Sequence, residues 1–434
     1  MLKAKDRLGI IFFPAYDWAI SPTHPEREER LLYTQDQLRE EGIFDIDGIT
    51  EHKPDIALPE DVTRVHFLIP NVVAVTTESH LISAGGAIRA ARLVMEGTTE
   101  KAFALVRPPG HHAMKVVHGN RGFCNINIEA IMIEHIREHY GQKRIAVVDT
   151  DCHHGDGTQD IYWHDPNTLF ISMHQDGRTL YPGTGFIEES GGPNARNRTI
   201  NIPLPPETCD EGFISVIDNV VLPILADFKP DLIVNSAGQD NHYSDPITNM
   251  KFTARGYALL NRKLNPNIAV LEGGYSIQGA LPYVNCGIAL AMAGLDFDNL
   301  REPDYDEARL RQAGSVTERI KQVNDKVLER YFKPLRSGQF EPGSFVTREK
   351  NIFYDTDMIR EHQRESVMAC EKCAGLLVIE TTSTINDLSV CIEIPIGACD
   401  HCRDEGLSIL DEARRRGHYS HIKFINRRDK IYSS

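Results

Sequence analysis

Six short apolar runs, each without regular alternation of apolar and polar residues, constrain the fold of this 434-residue chain more than any other feature. A strand with one face in water alternates, whereas a strand covered on both faces does not. Helical periods separate the runs, an order typical of a mostly parallel sheet between two helical layers. The predicted strands are LGIIFF (8–13), KAFALV (101–106), RIAVVDTD (144–151), NTLFISM (167–173), DLIVNSA (231–237) and NIAVLEGG (267–274).

Apolar periodicity predicts helices between these runs and after them. The buried candidates are 126–140, 211–228 and 277–294. The charged stretches 301–312 and 316–335 are instead predicted to be solvent-facing helices that lead away from the core. We therefore expect one large α/β domain over residues 1–335.

Titratable residues crowd the end of the third predicted strand, in VVDTDCHHGDGTQD. Asp149, Asp151 and His153 alternate there, so on a strand they project to one side. Two neighbouring carboxylates repel each other unless a cation lies between or beside them. An Asp-x-His triplet can also be a capped helix start, so this segment alone leaves a structural role open.

Three further polar segments follow other predicted strands. RPPGHHA contains His111 and His112, NSAGQDNHYSDP contains Asp240, and LEGGY ends in Tyr275. Each has a structural alternative, namely a loop pair, a capping residue or a turn. All of them end separate strands, and open α/β sheets gather such segments at one edge.

These residue types together suit metal-assisted hydrolysis of an amide. Asp151, His153 and Asp240 would supply two oxygens and one nitrogen and leave a position open for water, as catalytic metal sites do. Two adjacent histidines can divide the proton transfers, and a tyrosine hydroxyl can donate to the developing oxyanion. Asp149 and Asp156 are predicted to fix the histidine tautomers. No covalent nucleophile is needed.

The motifs RPPGHHA, GFCNIN, VDTDCHHGDGTQD, SMHQDGRTLYPGTG, SAGQDNHYSDP and LEGGY, with SPTHPEREER near the start, resemble the histone deacetylase family, closest to its class II and bacterial branches. The resemblance extends to about residue 295. It implies an arginase-like three-layer α/β fold with a parallel eight-stranded sheet, and a zinc-dependent hydrolase that removes acetyl or other acyl groups from amines.

The resemblance also implies a role for each matching residue. Asp151, His153 and Asp240 would hold the catalytic zinc. His112 would be the general base and acid, and His111 more electrostatic, with Asp149 and Asp156 as their partners and Tyr275 as the oxyanion donor. The residues implied to contact the substrate are Gly122, Phe123, Tyr181 (often phenylalanine in the family), Ile247 and Gly273. A structural potassium ion is implied at Asp149, Asp151, Ser172 and the carbonyls of His153 and Met173.

Two Cys-x-x-Cys pairs mark a second unit, predicted over 366–434 after a linker over 336–365. Cys370 and Cys373 precede, and Cys399 and Cys402 follow, a segment that is typical of a β-hairpin. Four thiolates at such spacing predict a structural zinc ion in a zinc-ribbon-like domain, with a redox pair as the alternative. The end of the chain is predicted to be a basic helix or tail.

Composition narrows the cellular setting and the partners. The formal net charge is −15, which argues against nucleic-acid binding by the catalytic domain and suits a cationic substrate. Because no run is long enough to span a bilayer, we predict a cytoplasmic protein without membrane contact. The expected partner is an acetylated lysine-containing protein or a small acetylated amine. An acetylpolyamine or other small-molecule amidohydrolase and a non-catalytic binding scaffold remain as alternatives, and self-association into a homo-oligomer stays open.

Overall fold

The computed structural model describes residues 2–141, 143–333 and 340–433. Its largest feature is an eight-stranded sheet in the order β2-β1-β4-β10-β9-β6-β7-β8. Neighbouring strands pair in parallel throughout. The strands are β1 (Lys3–Phe13), β2 (Asp47–His52), β4 (Lys101–Val106), β6 (Ile145–Asp149), β7 (Thr168–Gln175), β8 (Thr199–Leu204), β9 (Leu232–Ser236) and β10 (Ile268–Val270), and a small pair comprises β3 (Phe67–Leu68) and β5 (Val116–Val117).

Helices cover both faces of the sheet, as predicted. One apolar core includes Phe103 and Val148, and the core on the opposite face includes Ala104 and Val147. Neighbouring strand residues thus enter different layers, which is why the strands are apolar throughout. The helices are α1 (Thr34–Glu40), α2 (Pro59–Thr63), α3 (Val72–Val75), α4 (Glu78–Met95), α5 (Ile128–Tyr140), α6 (Asp156–Tyr162), α7 (Asp210–Val216), α8 (Leu222–Phe228), α9 (Ala254–Leu264), α10 (Leu281–Met292), α11 (Gly314–Phe332) and α12 (Asp400–Arg416).

The fold class and the presence of all six predicted strands are confirmed, but two strands end earlier than predicted, at Asp149 in β6 and at Val270 in β10. Asp151 and His153 therefore lie in the loop after β6 and not in one row on the strand.

The sequence did not reveal β2 and β8. These are the two edge strands of the sheet. The residues of β2 are mostly exposed or half-exposed, and β8 carries Asn201 and Pro203 in its apolar run. Edge strands need fewer apolar residues and tolerate proline, so their apolar signal is weaker.

The two charged stretches after residue 300 differ from the prediction. Residues 301–312 form turns and irregular chain rather than a helix. The second stretch does form a helix, α11, but it does not lead away from the core. Its residues Ile320, Val323 and Val327 are buried in a core that lies against the eight-stranded sheet. The heavily charged outer face concealed this narrow apolar stripe.

The predicted linker over 336–365 is wrong for the part that the structure describes. A six-stranded sheet begins at residue 345, in the order β11-β12-β13-β14-β15-β16. The first strands of this sheet are rich in polar residues that pair with one another, as Arg348 does with Glu365. This polar composition resembles that of a linker in the sequence. Residues 336–339 lie outside the described residues. The strands are β11 (Phe345–Tyr354), β12 (Ile359–Met368), β13 (Leu377–Ser383), β14 (Ser389–Ile394), β15 (His421–Asn426) and β16 (Ile431–Ser433).

The C-terminal unit is thus larger than a zinc ribbon. The predicted hairpin is β13 and β14, and the predicted basic end comprises α12 followed by β15 and β16. We call residues 340–433 the C-terminal unit. None of the helices within the described ranges has the length and apolarity required of a membrane-spanning segment.

Buried polar contacts join the C-terminal unit to the catalytic domain. Lys115 forms an ion pair with Glu393, and Arg427 contacts both Glu393 and Glu134. The hydroxyl of Tyr354 donates to the carbonyl of Val116 over 2.8 Å. Such desolvated contacts require the two units to hold one relative position.

Candidate active site and metal centres

The polar segments follow neighbouring strands of the large sheet. Strands β4, β10, β9 and β6 are adjacent and parallel. Asp149 ends β6 and pairs in register with Ser236, which ends β9. Because the carboxyl ends of these strands share one edge, the loops that carry His111, Asp240 and Tyr275 meet there.

Asp151, His153 and Asp240 form a buried triad whose ligand atoms lie within 4.8 Å of one another. The Nδ1 atom of His153 lies 2.8 Å from Asp240 Oδ2 and 3.2 Å from Asp151 Oδ1. Ligands of a tetrahedral zinc ion, each about 2.0–2.1 Å from the metal, lie about 3.3 Å apart. The triad therefore fits a metal ion of this size and leaves a coordination position for water or substrate.

Backbone groups fix the two carboxylates. The Cys152 N–H donates to Asp240 over 2.7 Å, and the Gly273 N–H donates to Asp151 over 2.7 Å. A Cβ atom at Gly273 would lie 2.5 Å from Asp151 Oδ2, so only glycine fits there. Burial and the neighbouring Asp151 raise the pKa of Asp240 to about 6. A cation would remove the repulsion that contributes to this shift.

His111 and His112 stand beside the triad, with ring centres 4.1 Å apart. His111 Nδ1 lies 3.0 Å from Asp149 Oδ2. Burial lowers the pKa of His111, but Asp151 and Asp149 raise it more, so it lies well above its usual value. Burial and the His111 charge lower the pKa of His112 to about 3. The two shifts have opposite directions, and they favour the charged form of His111 and the neutral form of His112.

Asp156 orients the neutral imidazole from the start of α6. Its Oδ1 atom lies 2.8 Å from His112 Nδ1. Its Oδ2 atom accepts two hydrogen bonds from the Arg121 guanidinium, whose Nη1 also donates to the carbonyl of Phe353 over 2.6 Å. Arg121 was not among the predicted site residues, although it precedes the GFCNIN motif directly.

Glu272 positions the loop of the two histidines. Its Oε2 atom accepts hydrogen bonds from the backbone N–H groups of Gly110 (2.7 Å) and His111 (3.0 Å). Burial raises the pKa of Glu272 to about 7. Glu272 was not among the predicted site residues. Its place between a buried strand and a Gly-Gly pair could have indicated a buried structural role.

Tyr275 is 8% exposed and is held by a buried ionic cluster. The Arg30 guanidinium lies 5.0 Å from the centre of its ring. Glu26 binds Arg30 over 2.8 Å and Arg107 over 2.7 Å. Burial raises the pKa of Tyr275 well above its usual value, so its hydroxyl stays a proton donor. Glu26 and Arg30 belong to the HPEREER segment, but the sequence did not reveal this positioning role.

Gly122 and Phe123 adopt left-handed backbone conformations, with φ values of +52° and +70°. A Cβ atom at Gly122 would lie 2.7 Å from His112 Cγ, so the backbone passes directly over that ring. The Phe123 ring centre is 5.7 Å from that of Tyr275. The Tyr181 ring centre is 5.2 Å from that of His112. These contacts place Phe123 and Tyr181, which the resemblance implies contact the substrate, beside the candidate catalytic groups; together with Gly122 we call them the wall residues of the implied substrate tunnel.

The remaining predicted site residues lie near this edge. Ile247 is half-buried in the loop after Asp240. Ser172 pairs in register with Asp149, and Met173 follows it on β7. The Ser172 hydroxyl lies 2.9 Å from His174 Nδ1. The potassium-binding role of Asp149, Ser172 and Met173 stays a prediction.

The four cysteines of the two Cys-x-x-Cys pairs form a second cluster. The Sγ–Sγ distances are 3.9 Å for Cys370 and Cys399, and 3.6 Å for Cys373 and Cys402. These distances exclude disulfides, which require about 2.05 Å, and match the edge of about 3.8 Å expected for four sulfurs around zinc. Hydrogen bonds, chiefly from the Cys402 N–H, lower the pKa of Cys399 to about 7.

Comparisons with known proteins identify the family of this chain. The family profile described as the histone deacetylase domain matches residues 70–286. A probable deacetylase of Archaeoglobus fulgidus is 48% identical over 324 residues, which cover 68% of this chain and 89% of that protein. The chain belongs to the histone deacetylase family. As a member of this family, it is a hydrolytic deacetylase.

Other similar proteins show how far the histone deacetylase likeness extends. The acetoin utilization protein of Bacillus subtilis is 31% identical, with 68% of this chain and 84% of that protein covered. Histone deacetylase HDA1 of Candida albicans is 28% identical over 86% of this chain and 50% of that protein. The crystal structure of the HDA15 HD domain has the same fold, with a TM-score of 0.64 and 24% identity, over 75% of this chain and 95% of that one. The family profile ends before the C-terminal unit begins.

Proposed function

We propose that this protein is a zinc-dependent enzyme that removes acetyl groups from acylated amines, with acetyl-lysine as the leading substrate class. One observation carries the proposal: the buried Asp151–His153–Asp240 triad lies directly beside two histidines, each of which binds an aspartate through Nδ1. The ring centres of His112 and His153 are 6.1 Å apart. A bound cation at the triad would supply Lewis acidity, which lowers the pKa of water to about 7.

The protein's own residues would carry out the proton transfers. His112 is neutral and accepts a proton from the attacking water, while Asp156 binds Nδ1 and thereby leaves Nε2 for the reaction. The same Nε2 then donates the proton to the departing amine. His111 stays charged beside it and stabilises the negative charge that develops.

Tyr275 and the wall residues Gly122, Phe123 and Tyr181 would orient the acyl group. The Tyr275 hydroxyl donates to the carbonyl oxygen as it gains negative charge. Phe123 and Tyr181 present aromatic surfaces to the aliphatic chain of the substrate. Gly122 supplies backbone groups next to His112, and Gly273 leaves room beside the carboxylate ligands. Zinc at the cysteine cluster would stabilise the fold of the C-terminal unit, and potassium behind the site would stabilise Asp149.

A direct assay tests the proposal. Zinc-loaded enzyme is given acetyl-lysine peptides and acetylated polyamines side by side, and release of acetate is measured. We expect hydrolysis of the peptides, with His112→Ala as the inactive control. Turnover of the polyamines alone would favour the small-molecule alternative, and no turnover of either class would contradict the proposal.

A further inference from the structure

The C-terminal unit reaches the entrance of the candidate active site through one tight turn. Residues 355–358 join β11 to β12 and lie on the segment 119–122. Asp357 accepts a hydrogen bond from the Asn120 N–H over 2.6 Å, and Thr356 donates to the Asn120 side chain over 2.9 Å. We call residues 355–358 the rim turn, because the segment it contacts leads into the wall residues Gly122 and Phe123.

Asp355 is the residue of the rim turn that contacts the wall itself. Its Oδ1 atom accepts hydrogen bonds from the Gly122 N–H over 2.9 Å and from the Tyr181 hydroxyl over 3.2 Å. Gly122 lies on the His112 ring, and the Tyr181 ring is packed against His112. Asp355 is therefore separated from the candidate general base by a single layer of residues.

The carboxylate of Asp355 keeps binding capacity for a ligand. Both hydrogen bonds end on Oδ1, so within the described residues Oδ2 receives no donor from the protein. The nearby Arg121 guanidinium attracts Asp355 electrostatically, but it donates its hydrogen bonds to Asp156 and to the carbonyl of Phe353. Asp355 is half-buried, so its charge is less screened than that of an exposed residue.

We propose that Asp355 is a specificity-determining residue, through which the C-terminal unit selects acylated amines that also carry a positively charged group outside the acyl-amide. The inference rests on the proposed deacetylase function and refines its substrate class. An ammonium or guanidinium group that stays at the tunnel mouth while the acyl group enters would bind Oδ2. Two kinds of substrate carry such a cationic group: small mono-acylated diamines, and peptides in which basic residues flank acetyl-lysine.

Two matched substrate pairs test this role. The first is mono-acetylated 1,5-diaminopentane against N-pentylacetamide, which has similar length and no charge. The second is an acetyl-lysine peptide flanked by arginines against the same peptide flanked by glutamines. For each pair, the ratio of kcat/KM for the charged member to that for the neutral member is measured in wild-type enzyme and in Asp355→Asn.

The asparagine keeps an oxygen that can accept from Gly122 and Tyr181, so it removes the charge and little else. We expect Asp355→Asn to lower the charged-to-neutral ratio about tenfold in at least one pair, as loss of a charge-assisted hydrogen bond does. The substrate pair whose ratio falls shows whether Asp355 binds the ammonium of a diamine or a basic residue that flanks acetyl-lysine. Asp387→Asn, an exposed aspartate in the turn between β13 and β14, should leave the ratios at their wild-type values.

A salt titration of the unaltered enzyme provides a second measurement. The charged-to-neutral ratio should fall as ionic strength rises, because salt screens the partly exposed carboxylate. Ratios that do not change with Asp355→Asn or with salt, in an enzyme that hydrolyses the neutral substrates, would overturn the role of Asp355 alone. A zinc-loaded wild type that hydrolyses none of the four substrates would instead overturn the proposed function.

Discussion

Arg121 binds the carboxylate oxygen of Asp156 that does not contact His112, so a buried loop arginine supports the hydrogen bond that orients the candidate general base. The same guanidinium donates to the carbonyl of Phe353 in the C-terminal unit. The position of His112 thus depends on contacts from both units of the chain.

Replacement of Arg121 by lysine should impair catalysis more than stability. Lysine keeps the positive charge but cannot donate two fixed hydrogen bonds to one carboxylate. We expect kcat to fall roughly tenfold to 100-fold, the range for loss of a group that orients a catalytic residue. Steady-state kinetics on an acetyl-lysine peptide measure this. Arg319→Lys, which alters an exposed arginine of α11, is the matched control, and an unchanged kcat in Arg121→Lys would contradict the positioning role.

The two histidines should differ in how much activity their removal costs. His112→Ala removes the neutral imidazole and should lower kcat by about 10³-fold, within the range for general acid–base catalysis. His111→Ala removes an electrostatic group and should cost less. Single-turnover rates of the two variants decide the assignment. A larger loss in His111→Ala would exchange the two roles.

Tyr275→Phe should remove the oxyanion donor and preserve the fold. The Arg30 guanidinium can still stack on a phenylalanine ring, so the melting temperature should stay close to that of the wild type. We expect kcat to fall by about 10²–10³-fold, with little change in substrate binding. Turnover at the wild-type rate would reject the proposed role of the hydroxyl.

The contact between the two units should weaken in acid. Burial raises the pKa of Glu393, but Arg427 and Lys115 lower it more, so the folded value lies below the ordinary 4.5. A depressed pKa stabilises the fold above the unfolded value, and this contribution is lost as the pH falls through the folded value. Thermal unfolding followed between about pH 6 and pH 3 should show this loss.

Glu393→Gln isolates that contribution from the general effect of acid. It leaves Lys115 without its carboxylate and Arg427 with Glu134 alone, which should cost about 3 kcal/mol at neutral pH. The variant should also lose less stability than the wild type as the pH is lowered. Glu307→Gln, at an exposed site, should follow the wild-type curve. Parallel curves for wild type and Glu393→Gln would contradict the account.

The sequence predicted most of the catalytic domain because its core strands are apolar on both faces and its chemical groups lie in short motifs. Residues such as Asp151 and His153 are neighbours in the chain, so their proximity could be expected. Contacts such as Arg121–Phe353 and Asp355–Tyr181 join residues far apart in the chain. No local sequence pattern marks these two contacts. They are made by the hairpin of β11 and β12, whose polar composition did not predict strands.

The zinc content of the purified protein shows directly whether the triad of Asp151, His153 and Asp240 holds a metal ion. Wild-type protein purified with zinc should hold two equivalents per chain, as measured by elemental analysis. Asp240→Asn should lose one equivalent together with activity, whereas Cys402→Ser should lose the other and leave the zinc at the triad in place. An Asp240→Asn variant that holds as much zinc as the wild type and keeps full turnover would contradict a catalytic metal held by Asp151, His153 and Asp240.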